Sequence, residues 1–146
     1  MSNVSSILTS LKNQVASTLG ASWSELNYVY ELSQNEFRGS DKRYGIGAES
    51  GTSVDGTNKA ITIDMGFFVV LTRTFANRSS DSNERTVLSD IYDQLELINI
   101  NVFQKKLSNA SVLLVSELSY DSPEKVDDGT ISVRVSFIVK FRNQTA

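Results

Sequence analysis

The sequence predicts an α+β fold: a mostly antiparallel sheet of four to five strands, with an N-terminal helix and a central helix packed on it. Three patterns carry the prediction. Apolar residues recur at three- and four-residue steps from Asn3 to Leu19 and again from Val87 to Ile98. They alternate at every second position from Ile61 to Leu71 and from Ile131 to Phe141. Turn-forming residues then punctuate the order helix, strand, glycine-rich excursion, long strand, helix, two strands.

The first helix follows from Val4, Ile7, Leu8, Leu11, Val15 and Leu19, with Gly20 placed as its C-terminal cap. From Ser24 to Ser33 the period changes, and Leu26, Tyr28, Tyr30 and Leu32 alternate with Glu25, Asn27 and Glu31 as in a half-buried strand. The stretch 38–58 holds five of the eight glycines and reads as a long mobile loop with a short strand, Tyr44 to Ala48, inside it. Lys59 to Ala76 carries the strongest strand signal. There Phe68 and Val70 make the second face apolar too, which predicts a central strand covered on both sides and a bulge at Gly66.

N-cap candidates at 77–81 precede the second helix, whose stripe is Val87, Leu88, Ile91, Tyr92, Leu95 and Ile98. Asn99 to Asn101 is expected to break it in two. Val112 to Tyr120 and Ile131 to Phe141 then read as two strands of an antiparallel pair, with turns at 121–123 and 127–129. The polar face of the last strand shows Ser132, Arg134, Ser136, Lys140 and Arg142.

A chain of 146 residues has the usual size of one domain, and its 40% apolar and 21% charged residues are ordinary globular usage. It contains neither cysteine nor histidine, which excludes disulfides, thiolate chemistry, His-containing triads and zinc sites built on imidazole or thiolate. A net charge of −3 argues against a DNA-binding module. The longest apolar run, Phe67 to Leu71, falls far short of the roughly 20 residues that a membrane span requires, and the first residues do not read as a secretory signal, so a cytosol is expected. Four Asn-x-Ser/Thr sequons, at Asn3, Asn77, Asn109 and Asn143, read as coincidence in a chain so rich in these residues.

Motifs that would carry chemistry are sparse. Gly45, Gly47 and Gly51 miss the dinucleotide spacing and do not run into a helix N-terminus, and a P-loop pattern is absent. The pairs Asp127/Asp128 and Asp90/Asp93 sit in a turn and on a polar helix face, where solvation accounts for them. Asp121, Glu124, Asp127 and Asp128 are a candidate hard-cation cluster without the calcium-loop order, and no metal or cofactor is expected. Trp23 and Tyr28 read as packing residues. Lys42, Arg43 and Tyr44 set two cations beside a ring, which favours a protein contact over a nucleic-acid one in an acidic chain. Arg134, Lys140 and Arg142 either pair with acidic side chains of a neighbour or keep an exposed face soluble.

The order of elements, the run Lys42-Arg-Tyr-Gly-Ile-Gly47, and the join from Phe67 through Thr74 and Asn77 to Asp81 into an acidic helix together resemble the tail terminators of long-tailed bacteriophages. The likeness is best from Lys42 to Leu95; where members often carry Arg-Pro after the Tyr-Gly-apolar triplet, this chain has Gly47-Ala48. The resemblance implies a single domain over residues 1–146 that has no catalytic residue and forms a ring, commonly hexameric, at the head-proximal end of the tail tube. That ring stops tube growth and presents a docking surface to the head connector. The implied partners are further copies of the chain, the tail tube protein and the connector, with DNA passing through the lumen without sequence-specific binding and no membrane. The implied location is the virion, after assembly in the bacterial cytoplasm. Lys42, Arg43, Tyr44, Arg134, Lys140 and Arg142 are then the candidate assembly contacts. Other readings are another virion ring, such as a head-completion or tail tube subunit, a small carboxylate- and metal-dependent enzyme, and a regulatory binding module.

Overall fold

A computed structural model describes residues 3–26, 41–56, 60–74, 81–104, 107, 109–127 and 129–144. It is an α+β structure of two helices and a mixed, mostly antiparallel sheet of six strands. We label them α1 (Asn3–Leu19), β1 (Ser24–Glu25), β2 (Arg43–Gly56), β3 (Ala60–Thr74), α2 (Asp81–Asn99), β4 (Val112–Tyr120), β5 (Glu124–Asp127) and β6 (Thr130–Gln144).

Helix α1 buries Ile7, Leu11, Val15 and Leu19, one residue per turn on one face. It ends where Gly20 takes φ +88° and donates its amide to the Ala16 carbonyl at 3.0 Å, a conformation that glycine adopts without the steric cost of a Cβ. Helix α2 buries Val87, Ile91, Leu95 and Ile98. The expected break after Asn99 is instead a π-helical turn, Ile100–Gln104, that carries the chain onward with Val102 buried. Asn101 fastens that turn to α1: its amide donates to Thr18 Oγ1 at 2.6 Å, and its carbonyl accepts from Gln14 Nε2 at 3.5 Å. None of the helices is long and apolar enough to cross a membrane among the described residues.

Within the sheet the order is β1-β2-β3-β6-β4, and β5 pairs with the start of β6. β3 and β6 form its centre, in unbroken antiparallel register from Ala60↔Gln144 to Thr74↔Thr130. Since β3 occupies one side of β6 throughout, β4 and β5 line its other side end to end. β1 pairs with β2 in parallel through Ser24↔Arg43 and Glu25↔Tyr44. Residues 27–33 of the strand expected from Ser24 to Ser33 lie outside the described residues.

One sheet face packs under both helices: Phe67, Val69 and Leu71 of β3 and Val133, Val135, Phe137, Val139 and Phe141 of β6 join the helix stripes in a single core. Phe68 and Val70 point the other way and are nonetheless buried, as the two-sided apolar pattern of β3 predicts.

Two readings of the sequence need correction. Within the stretch 38–58, expected to be a long loop around a short strand from Tyr44 to Ala48, the strand runs for 14 residues over Arg43–Gly56, because β3 supplies a ladder along its whole length and so overrides the weak strand propensity of glycine. The expected bulge at Gly66 lies on the facing strand, between Ala48 and Gly51, while β3 runs straight. The strand β5 was not expected at all, since turn residues and carboxylates dominate its short sequence.

Candidate functional site

The six candidate contact residues divide by the period of their strands. Tyr44 points into the core and is 5% exposed, so it packs rather than presents a surface. Burial, reinforced by the nearby Glu25 charge and opposed by Lys12, pushes its phenol above the usual pKa. Arg43, Arg134, Lys140 and Arg142 stand on the opposite, polar face. Lys42 precedes β2 with φ 57°.

At the centre of that face is a cluster on Arg134. Its guanidinium lies 3.9 Å from the centroid of the Phe68 ring, forms an ion pair with Glu49, and approaches Asp121 Oδ2 with Nε at 3.8 Å. The local sequence builds this arrangement. The β2 bulge lifts Glu49 over Gly66, where a Cβ would come within 2.9 Å of the carboxylate. Gly47 leaves space for the Phe68 ring beside it. Arg134 is thereby engaged within its own chain, on three strands at once. Lys140 and Arg142 make no side-chain hydrogen bond or ion pair among the described residues, although Lys140 faces Asp64 in register. Asp64 Oδ1 is buried without a hydrogen-bond partner.

Arg43 is also held at home, through Nη2 on the Glu25 carbonyl at 2.7 Å, while Thr72 Oγ1 donates to its carbonyl at 3.3 Å. Next to it a second ionic group ties β2, β3 and α2 together. Asp41 accepts from the backbone amides of Lys42 at 2.8 Å and Thr74 at 2.9 Å and from Arg73 Nε at 3.0 Å, and Arg73 also pairs with Asp90. Burial alone would raise the Asp41 pKa, but these donors and the Arg73 charge outweigh it and hold the carboxyl below its usual value. The same pairs hold Arg73 protonated against the effect of its own burial.

Sequence reasoning named neither Glu49, Phe68 nor Asp41 as parts of a cluster. Glu49 and Phe68 come together with Arg134 only through the β2 bulge and the pairing of β2, β3 and β6. The residues of the candidate cation cluster are placed only in part. Asp121 faces Arg134, Glu124 and Asp127 lie on β5, and Asp128 lies outside the described residues. Among the described residues no three carboxylates converge as a metal-binding set. A cavity of about 370 Å³ beside Arg142 is lined by Asn3, Ala110, Ser111 and Leu113.

No protein-family model matches the chain, and a comparison with curated proteins finds no relative.

Proposed function

We propose that this protein is a ring-forming virion subunit of the tail-terminator kind, which caps the head-proximal end of a phage tail tube, stops its polymerisation and docks the head connector. The observation that carries this reading is the outer edge of β2. β1 pairs only with Arg43 and Tyr44, and beyond them no described strand lies beside β2, whose residues Glu49 to Val54 are exposed. Such an edge is a template for another chain. Its small residues Ser50, Gly51, Thr52 and Ser53 let a neighbouring backbone approach closely. A ring needs two unlike patches per subunit related by a rotation that closes, and the polar sheet face, where Lys140 and Arg142 make no ion pair among the described residues, supplies material for the second. The α+β order of elements agrees with the fold that the resemblance implies.

Localisation on purified particles tests the reading. Cyclic density for this chain at the head end of the tail, and tails of abnormal length in its absence, are expected. Its absence from purified virions would overturn the proposal, and density along the whole tube would make it a tube subunit instead. A saturable divalent-dependent activity lost with one carboxylate substitution would favour an enzyme.

A further inference from the structure

The sheet has a second edge, at β4, beside whose outer side no described strand lies and whose exposed residues include four large apolar ones: Leu113, Leu114, Leu118 and Tyr120 are 45%, 53%, 39% and 41% exposed. Edge strands are ordinarily protected by lysine, proline or inward-facing charge. β4 contains neither lysine, arginine nor proline, and Glu117 is its one charged residue. Leu97 of α2 and Ile100, which opens the π-helical turn after it, are also exposed, and Asn99 between them donates to the Tyr120 hydroxyl at 2.6 Å, so the apolar surface continues from strand to helix.

Charge along this edge is polarised. At the beginning of β4 stand two cations: Lys140 is the register partner of Leu114, and Arg142 lines one cavity with Leu113. Beyond the midpoint carboxylates predominate: Glu117 is exposed in a bulge at φ 55° beside Ser116, Glu96 acts electrostatically on Tyr120, and Asp121, which also faces Arg134, follows directly.

We propose that β4 is covered by β4 of a second copy of this chain, the two strands lying antiparallel about a two-fold axis near Ser116. That arrangement sets Leu114 against the second copy's Leu118 and brings each basic end against an acidic end, twice, as an isologous contact requires. A parallel arrangement in register would bring like charges together. The two bulges of β4, at Leu113 and at Glu117–Leu118, shorten the shared ladder, so the side chains carry the contact. The proposal goes beyond the ring reading and does not depend on it.

Sedimentation of the full chain over a wide concentration range tests it. The wild type is expected to dimerise reversibly. Lys140→Glu and Glu117→Lys should each weaken the dimer by about tenfold or more, and both in one chain should restore it to within about threefold, because a two-fold contact sets each reversed charge against the other. Leu118→Ser should weaken it as well; if that variant folds poorly, the charge reversals decide. A wild type that stays monomeric throughout, a dimer indifferent to both reversals, or a double reversal as weak as the single ones overturns the proposal. So does a closed ring in solution that ignores Leu118→Ser, which would leave the ring reading standing.

Discussion

Gly47 and Phe68 are register partners on β2 and β3, and their fit leaves no room for a methyl group: a Cβ on Gly47 would lie 2.5 Å from Cε1 of the Phe68 ring. The ring is 1% exposed and carries the Arg134 guanidinium on its face, so it has little freedom to move away. Gly47→Ala is therefore expected to lower stability by about 1–3 kcal/mol, the cost of overpacking. Chemical denaturation measures it. Adding Phe68→Leu should recover part of the loss, since residues in contact are not additive; a Gly47→Ala protein as stable as the wild type would show that the strands can shift apart.

Arg134 and Lys140 lie on the same strand face but should respond differently to truncation. Arg134→Ala removes the pair with Glu49 and the stacking on Phe68, and its partly buried position makes a loss of about 1–2 kcal/mol the expected result. Lys140→Ala should stay within about 0.5 kcal/mol of the wild type. Equal midpoints for both variants would mean that the Arg134 cluster adds nothing to the fold.

These residues also mark where sequence reasoning reached its limit. The stripes of α1 and α2 and the alternation in β3 and β6 are strong because burial on one face imposes a period that propensity alone does not. β2 lacked that signal, since its polar face carries Gly45 and Gly47, and Gly47 is a glycine because of Phe68 on another strand. A non-local cause of this kind has no trace in the local window. β5 pairs over too few residues to show a period at all. Within the candidate site, the cations on β6 were readable from alternation, whereas their partners were not: Glu49 meets Arg134 only once β2, β3 and β6 lie side by side.

Phe67 is fully buried at the centre of the core, and Phe67→Ala is expected to cost about 3–5 kcal/mol and to reduce the yield of folded protein. Arg43→Glu is a poorer probe of assembly than its place in the sequence implies. Its Nη2 holds the Glu25 carbonyl and its Nε is buried without a partner, so reversal should also cost about 1–3 kcal/mol of stability. Arg142→Glu separates the two effects. Its exposed side chain predicts an unfolding midpoint within about 0.5 kcal/mol of the wild type, so any assembly defect would report a contact. A strongly destabilised Arg142→Glu protein would contradict this.

Acid should loosen the junction of β2, β3 and α2 through Asp41. Its folded pKa lies below the usual carboxylate value, because the Arg73 pair and the amides of Thr74 and Lys42 outweigh burial, which acts in the opposite direction. A depressed folded pKa means that the unfolded chain takes up the proton first. The Asp41 contribution is thus fully present above the ordinary aspartate pKa of about 3.9 and is lost as pH falls through the lower folded value. Since the carboxylate is well exposed, solvent screening keeps that contribution small, about 1 kcal/mol at neutral pH. Asp41→Asn retains an acceptor for the amides but removes the charge that Arg73 meets. Denaturation of both proteins between neutral pH and about pH 3 should show a gap that closes as the wild-type carboxylate is protonated. A gap of constant size across that range would mean that the asparagine is deficient in shape or hydrogen bonding rather than in charge.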